Sequence, residues 1–297
     1  MPMSPGTGAR LVVNADDYGY FSCVSRGILE AARAGRVTAV GALANSPRFA
    51  ERARALGELP DVDAGVHLTL TFGEPLTGRM AAALRPWSGR FPRNKAEAAW
   101  AVLRGRIPSE AVEEEWAAQV RRCLEAGLTV RFLNSHEHVH VLPPLARALR
   151  RLAATFGIPH VRAPAPEWGE GGGAPALLRN LAFQAAQWLA PRTVGGSFAP
   201  LPLLGVAESG RLTLGSLDRR LAALEPDRTY ELMCHPGHFD PAEIRDPRLL
   251  SYHRWEAELS LLTGAAFGEL CARRGVRLAR YRDLDAPAAP APPAETR

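Results

Sequence analysis

Three of the eight histidines fall within five positions, as His136, His138 and His140 in "FLNSHEHVHVLP", with Glu137 between the first two. Two more stand in unusual company: His67 in the apolar "GVHLTL" and His235 in "MCHPGH". Two adjacent carboxylates, Asp16 and Asp17, end the apolar run "LVVNADD". One Asp and two imidazoles from separate strand ends make a facial site for a divalent metal, with positions open for water and substrate. The second Asp would be free as a general base, and a further His across the pocket could serve as general acid.

Each piece has a plainer reading. Adjacent Asp residues after a strand often only shape a turn. A single His among apolar residues is more often a hydrogen-bonded core residue than a ligand, and His235 before Pro could cap a strand. The histidine run is the stronger signal, because in an extended chain its three rings share one face. A metal does not need all three, so some would brace ligands or touch substrate. The joint occurrence of these pieces at strand ends carries the argument.

Competing chemistries lack their motifs. The chain has no GxGxxG and no GxxxxGK[ST], and the Gly-rich "GEGGGAP" lacks the strand-to-helix spacing of a phosphate cradle. No GxSxG elbow occurs. Cys234 adjoins His235, but neighbours on a strand point to opposite faces, which argues against a Cys–His nucleophile pair.

The elements that must position these residues read as alternating β and α. Leu11–Val13 is a short buried strand. Ser22 caps a helix that stops at Gly35. "VTAVGALAN" is a strand, "PRFAERARALG" a helix and "AGVHLTLTF" a third strand, the pattern of parallel α/β architecture. Residues 73–94 read as a long loop. Helices follow near 95–104 and 109–126, then strand "VRFLNS", helix 144–156 and strand "HVRAP". A Gly-rich loop (167–175), a helix (176–190), an unassigned stretch (191–213) and a helix near 216–224 lead to strand "TYELMCH". Helix 252–274 and strand "VRLAR" complete the pattern. Seven or eight strands suit a barrel or an open sheet. A (β/α) barrel is favoured, because the polar residues gather at strand ends, which converge on one face of a barrel.

The chain has 297 residues, of which 46% are hydrophobic, enough for a sizeable core. The formal charge of +5 comes mostly from dispersed Arg, and no basic block alternates with aromatics, which argues against a nucleic-acid partner. Four cysteines form no CxxC pair and no disulfide framework. The N-terminus lacks an apolar signal region and no apolar run reaches about 18 residues, so the expectation is a cytoplasmic protein without stable membrane insertion. The organisation expected is a flexible leader (1–9), a single catalytic domain (10–284) and a disordered Pro/Ala-rich tail (285–297).

Four stretches in order, "LVVNADDYGY…GILEAARAGRVTAVGALAN", "AGVHLTLTFGEPL", "LNSHEHVHVLP" and "ELMCHPG", resemble the YdjC/ChbG family of carbohydrate deacetylases, which includes the hopanoid-associated HpnK branch. The resemblance runs from about residue 10 to 284. It implies a distorted (β/α) barrel of the polysaccharide-deacetylase-like kind, a bound divalent metal and removal of an N-acetyl group from an amino sugar. Matched by motif, Asp17, His67 and His136 resemble the metal ligands, Asp16 the catalytic base and His235 the proton donor. The family often has Asp two residues before the metal-binding His; here Asn134 stands there and cannot supply a negative charge behind the ligand. His138 and His140 are expected to line or brace the pocket. Tyr18, Glu74, Trp87 and Arg162 are candidates, on position, for contacts to sugar hydroxyls.

The expected cofactor is one divalent ion, Mg or Zn, and the expected partner an acetylated amino sugar; a homodimer is left open. The alternatives are another metallohydrolase such as a phosphoesterase, and a non-catalytic sugar-binding protein on the same scaffold.

Overall fold

Short, largely apolar runs form the strands, and those at Ala39–Ala42, Asp63–Leu68 and Thr229–Cys234 are buried along their whole length, as expected where helices cover a parallel sheet. The computed structural model describes residues 8–162, 181 and 201–284. In chain order these give β1 (Arg10–Tyr18), α1 (Ser22–Arg33), β2 (Ala39–Ala42), α2 (Phe49–Gly57), β3 (Asp63–Leu68), α3 (Gly78–Ala83), α4 (Lys95–Leu103) and α5 (Ser109–Glu125). Then come β4 (Val130–Ser135), α6 (Pro143–Phe156), β5 (His160–Val161), β6 (Leu203–Leu204), α7 (Leu214–Ala222) and β7 (Thr229–Cys234). The series ends with α8 (Pro247–Tyr252), α9 (Trp255–Thr263), α10 (Ala265–Arg273) and β8 (Arg277–Ala279). Every strand pairing is parallel, in the order β5-β4-β3-β2-β1-β7-β6, with β8 also paired to β1. Among the described residues no pairing joins β5 to β6, so this distorted barrel is open between them.

Strand alternation sorts the residues into an outer and an inner set. Leu11, Val13, Val40, Val66, Leu133 and Leu232 belong to the large core that also holds the helices. Val12, Ala39, Phe132, Ala279 and Tyr281 form a separate cluster, the floor of the barrel interior. Phe132 stacks on Tyr281 with centroids 4.6 Å apart. Gly65, opposite Phe132 in register, makes room for it: a Cβ there would lie 2.4 Å from that ring. Two residues further along β1 and β4 the interior turns polar, at Asn14 and Asn134, and Glu231 of β7, in register with Val12, accepts from Asn14 Nδ2. The strand ends above this layer carry the acidic and histidine residues.

Several local expectations change. Helix 252–274 is three helices, interrupted by extended backbone at His253 and Gly264. The loop 73–94 contains α3, started by Thr77, whose side chain accepts from the Met80 N–H. Ser22 does not cap α1; Glu243 accepts from the Ser22 and Cys23 N–H groups instead, meeting the orphan donors from a distant loop. The expected Gly-rich loop 167–175, helix 176–190, most of the leader and the tail lie outside the described residues. No helix among those described is long and apolar enough to cross a membrane.

Candidate active site

Asp16 and Asp17 are neighbours on β1, so regular pleating would send them to opposite faces. Instead the β1–β2 register shifts between Ala15 and Tyr18, and Asp17 adopts a left-handed φ of 67°. Asp tolerates this region better than most residues. The irregularity re-aims the side chains, as bulges near sites do, and both carboxylates line one pocket of about 300 Å³.

Around Asp17 the geometry is tight. Its Oδ1 lies 2.7 Å from His136 Nδ1 and 3.2 Å from His67 Nε2. One donor atom from each of the three residues falls within 4.8 Å of the others. Burial pushes the Asp17 carboxyl up, but His136 and then His67 outweigh it and hold the group well below the usual carboxylate range. Burial in turn lowers His136, and Asp17 more than offsets this, so that imidazole is raised. The donor set of one carboxylate oxygen and two imidazole nitrogens fits a divalent ion.

Asp16 is held differently. Arg162 Nη1 and Nη2 donate to its two oxygens at 2.5 and 3.0 Å, and Asn134 Nδ2 donates to Oδ1 at 2.9 Å. Burial raises this carboxyl; Arg162, then His67, outweigh burial and bring it to about 2. Asp16 is therefore ionised at neutral pH. Arg162 also donates from Nε and Nη2 to Glu231 Oε1 at 2.8 and 2.5 Å, so it is wedged between two buried carboxylates. Asn134 completes the link, its Oδ1 lying 2.7 Å from His67 Nδ1.

His235 follows β7 and lines the same pocket. Its backbone N–H donates to the buried Glu258 at 2.6 Å, while its ring Nδ1 has no hydrogen-bond partner within the described protein. The ring of His253 stands 5.1 Å away, stacked at 4.8 Å on Trp255. Burial, then His235, lowers His253 to about 3, so it is neutral at physiological pH.

The pocket thus gathers Asp16, Asp17, His67, His136, His138 and His235. The histidine run is not extended, however. Residues 136–141 form a tight turn in which Glu137 and His138 both have left-handed φ, near 54° and 55°, so the three rings do not share a strand face. His136 turns to Asp17. His140 is buried, with Nδ1 at 2.5 Å from Ser135 Oγ and Nε2 at 3.1 Å from the Arg162 carbonyl; it braces the turn. Burial, then Arg162, lowers it to about 3.

Of the four residues expected to contact sugar, three are engaged within the fold and the fourth lies on a neighbouring cleft. Tyr18 is buried, its hydroxyl donates to the Arg52 carbonyl at 2.9 Å, and burial lifts its phenol to about 12; it ties β1 to α2. Arg162, with a fully buried side chain, is occupied by Asp16 and Glu231. Trp87 packs half-buried on the core and donates from Nε1 to Glu97 at 2.8 Å. Glu74 lies outside the metal pocket, on a second cleft. Sequence reasoning passed over Tyr20, Tyr252 and His253, which do line the pocket. The "DDYGY" stretch held a signal for the first: Gly19, at φ 102°, reverses the chain after Tyr18, so the second tyrosine is the one returned to the site. Tyr20 packs 5.1 Å from His136 and 4.6 Å from Phe72.

Comparisons with known proteins agree over nearly the whole chain. The YdjC-like protein family model matches residues 10–273. A chitooligosaccharide deacetylase of Klebsiella pneumoniae (strain 342) is 33% identical over 281 residues, covering 92% of this chain and 98% of that protein. A carbohydrate deacetylase of Geobacillus stearothermophilus is 31% identical, covering 92% and 97%. A crystal structure from Enterococcus faecalis V583, whose name refers to cellobiose-phosphate cleavage, superposes with a TM-score of 0.69 at 25% identity, covering 93% of this chain and 99% of that one. A family match of this extent, with relatives above 30% identity over nine-tenths of the sequence, makes this chain a member of the YdjC-like family.

Proposed function

We propose that this protein hydrolyses the N-acetyl amide of an acetylated amino sugar, releasing acetate and the free amine, with one divalent ion held by Asp17, His67 and His136. The observation that carries this is the division of labour between adjacent carboxylates. Asp17 faces two imidazoles, while Asp16, buried yet ionised, faces Arg162 and Asn134. The names of the relatives, carbohydrate and chitooligosaccharide deacetylase, support the same reading.

A divalent ion in such a site supplies Lewis acidity, polarising an amide carbonyl and lowering the pKa of water. Asp16 accepts the proton as water adds to the carbonyl carbon. Arg162 keeps Asp16 ionised and fixes its plane through two hydrogen bonds. Asn134 accepts from the His67 Nδ1–H, which leaves Nε2 with its lone pair toward Asp17. His235 donates a proton to the departing nitrogen as the C–N bond breaks. Two imidazoles in the donor set favour a first-row transition ion such as Zn over Mg, which prefers oxygen ligands.

The test is acetate release by the purified protein from N-acetylated sugars, with metal content measured alongside. Release that a chelator abolishes and added metal restores is the expected result. A fully metal-loaded protein that frees acetate from no acetylated sugar overturns the reading.

A further inference from the structure

A surface helix of a globular protein hides an apolar face and turns a polar one to water. Helix α4 is apolar on both. Ala98, Ala101 and Val102 are buried in the core. Ala96, Trp100 and Leu103, spaced by four and then three residues, share a different face, and all three are exposed. Trp100 is 49% and Leu103 62% exposed, more than any other large apolar side chain among the described residues.

Cations frame this face. Arg93 and Lys95 are exposed where the helix starts, and Arg104 and Arg106 where it ends. The Arg106 guanidinium lies 5.8 Å from the centroid of the Trp100 ring. Glu97 is the one acid between residues 93 and 106, and it is tied inward, accepting from Trp87 Nε1 and the Arg93 N–H. The next acid, Glu110, belongs to the first turn of α5, and beyond it Glu113 and Glu114 pair with Arg151 and Arg79.

The face also adjoins the metal pocket. Arg93, Asn94 and Lys95 line that pocket, and α4 packs against the 136–141 turn that carries His136. At a rise of about 1.5 Å per residue, Trp100 and Leu103 stand about 7.5 and 12 Å along the helix from Lys95. Another part of the pocket wall, α8, contributes Leu249 and Tyr252 and leaves Leu250 exposed. Its Arg248 is paired with Asp246, so α8 adds apolar surface more than charge.

The charge chooses the occupant. A second copy of this chain, docked face to face, would bring the same cations against one another, and like charges oppose such a contact. A lipid surface takes Trp at the headgroup level, Leu at the acyl boundary and cations among anionic headgroups. We propose that the exposed face of α4 docks this protein on an anionic lipid surface through Trp100, Leu103, Arg104 and Arg106, which sets the mouth of the metal pocket beside the membrane. The contact is peripheral, since no helix among the described residues is long and apolar enough to cross a bilayer. It does not depend on the deacetylase reading.

The experiment sediments the full chain with vesicles of phosphatidylcholine alone and of phosphatidylcholine mixed with phosphatidylglycerol. Three proteins are compared: the wild type, the double variant Trp100→Ser with Leu103→Ser, and Arg104→Ala. The wild type should bind the mixed vesicles well and the neutral ones weakly, and its binding should fall as salt rises. The double variant should lower the partition coefficient about tenfold or more, as apolar area is lost from the interface. Arg104→Ala should lower it about fivefold, the contribution of one cation near an anionic surface. All three altered side chains are exposed, so Tm should hold. If the double variant does not fold, Arg104→Ala and the comparison of the two vesicles decide. Wild-type binding that is absent, equal on both vesicles or unmoved by the substitutions overturns the proposal. So does a wild-type dimer in sedimentation equilibrium that the double variant turns into a monomer, because the face then belongs to a second copy.

Discussion

Asn134 donates from Nδ2 to Asp16 Oδ1 across 2.9 Å, both side chains buried. An ionised carboxylate only accepts, so the amide nitrogen must face Asp16 and the amide oxygen His67. The Asn at this position therefore does what an Asp could not, which is to support His67 without setting a second negative charge beside Asp16. Asn134→Asp should raise the pKa of the Asp16 pair, since two carboxylates this close share a proton. A raised pKa leaves the base protonated at higher pH, so the acid limb of kcat/KM should move upward while bound metal persists. An unmoved limb in the pH–rate profile would show that the two side chains are not bonded in the working protein.

Arg162 gives a second prediction. Among the described residues it alone forms direct ion pairs with both Asp16 and Glu231. Removing one partner of a buried pair costs about 3–5 kcal/mol, because the remaining charges lose their compensation. Arg162→Met should lose stability on that scale in denaturant unfolding, and any folded fraction should show Asp16 titrating at higher pH. A residue that only touched sugar would raise KM and leave stability alone.

The uneven legibility of this chain has a physical pattern. Residues at strand C-termini could be read because strand position is set by hydrophobic runs such as Leu11–Val13, and the barrel then gathers whatever follows them. Side-chain direction off the strands could not. Trp87 and Tyr18 looked available for sugar, yet each spends its polar atom within the fold, on Glu97 and on the Arg52 carbonyl. The turn at 136–141 depends on two left-handed non-glycine residues that no periodicity announces. Tyr252, the last residue of α8, and His253, which follows it, reach the pocket through a chain path that only the assembled fold reveals.

Histidine protonation should govern stability in mild acid. His140 has a folded pKa of about 3, lowered by burial and then by Arg162, against roughly 6.5 when unfolded. Between those values the unfolded chain holds a proton that the folded one does not. Stability is thus fully present above about pH 6.5 and falls as pH drops toward 3, at up to about 1.4 kcal/mol per pH unit. His253 acts with the same sign over the same window. His140→Asn should be less stable at pH 8, having lost its bonds to Ser135 and the Arg162 carbonyl, but its stability should decline less steeply between pH 6.5 and 4. Parallel unfolding curves for the two proteins across that range would contradict the assignment.

Trp87 tests whether the loop after β3 is anchored by the fold or by substrate. Its ring packs against the core, and Nε1–H reaches Glu97 at the start of α4, where the same carboxylate also accepts from the Arg93 N–H. That arrangement fixes the chain between the second cleft and the metal pocket from behind. Trp87→Phe keeps most of the packing and deletes one hydrogen bond, worth about 1 kcal/mol. For a chain of this size that corresponds to a fall in Tm of roughly 2–4 °C. Trp87→Ala should cost more, since it also removes buried aromatic surface. Metal content should hold in both, and the KM for a monosaccharide should hold in Trp87→Phe. If Trp87→Phe instead raises that KM with no change in Tm, the indole is a substrate contact after all, and the Glu97 bond is one it gives up when sugar binds.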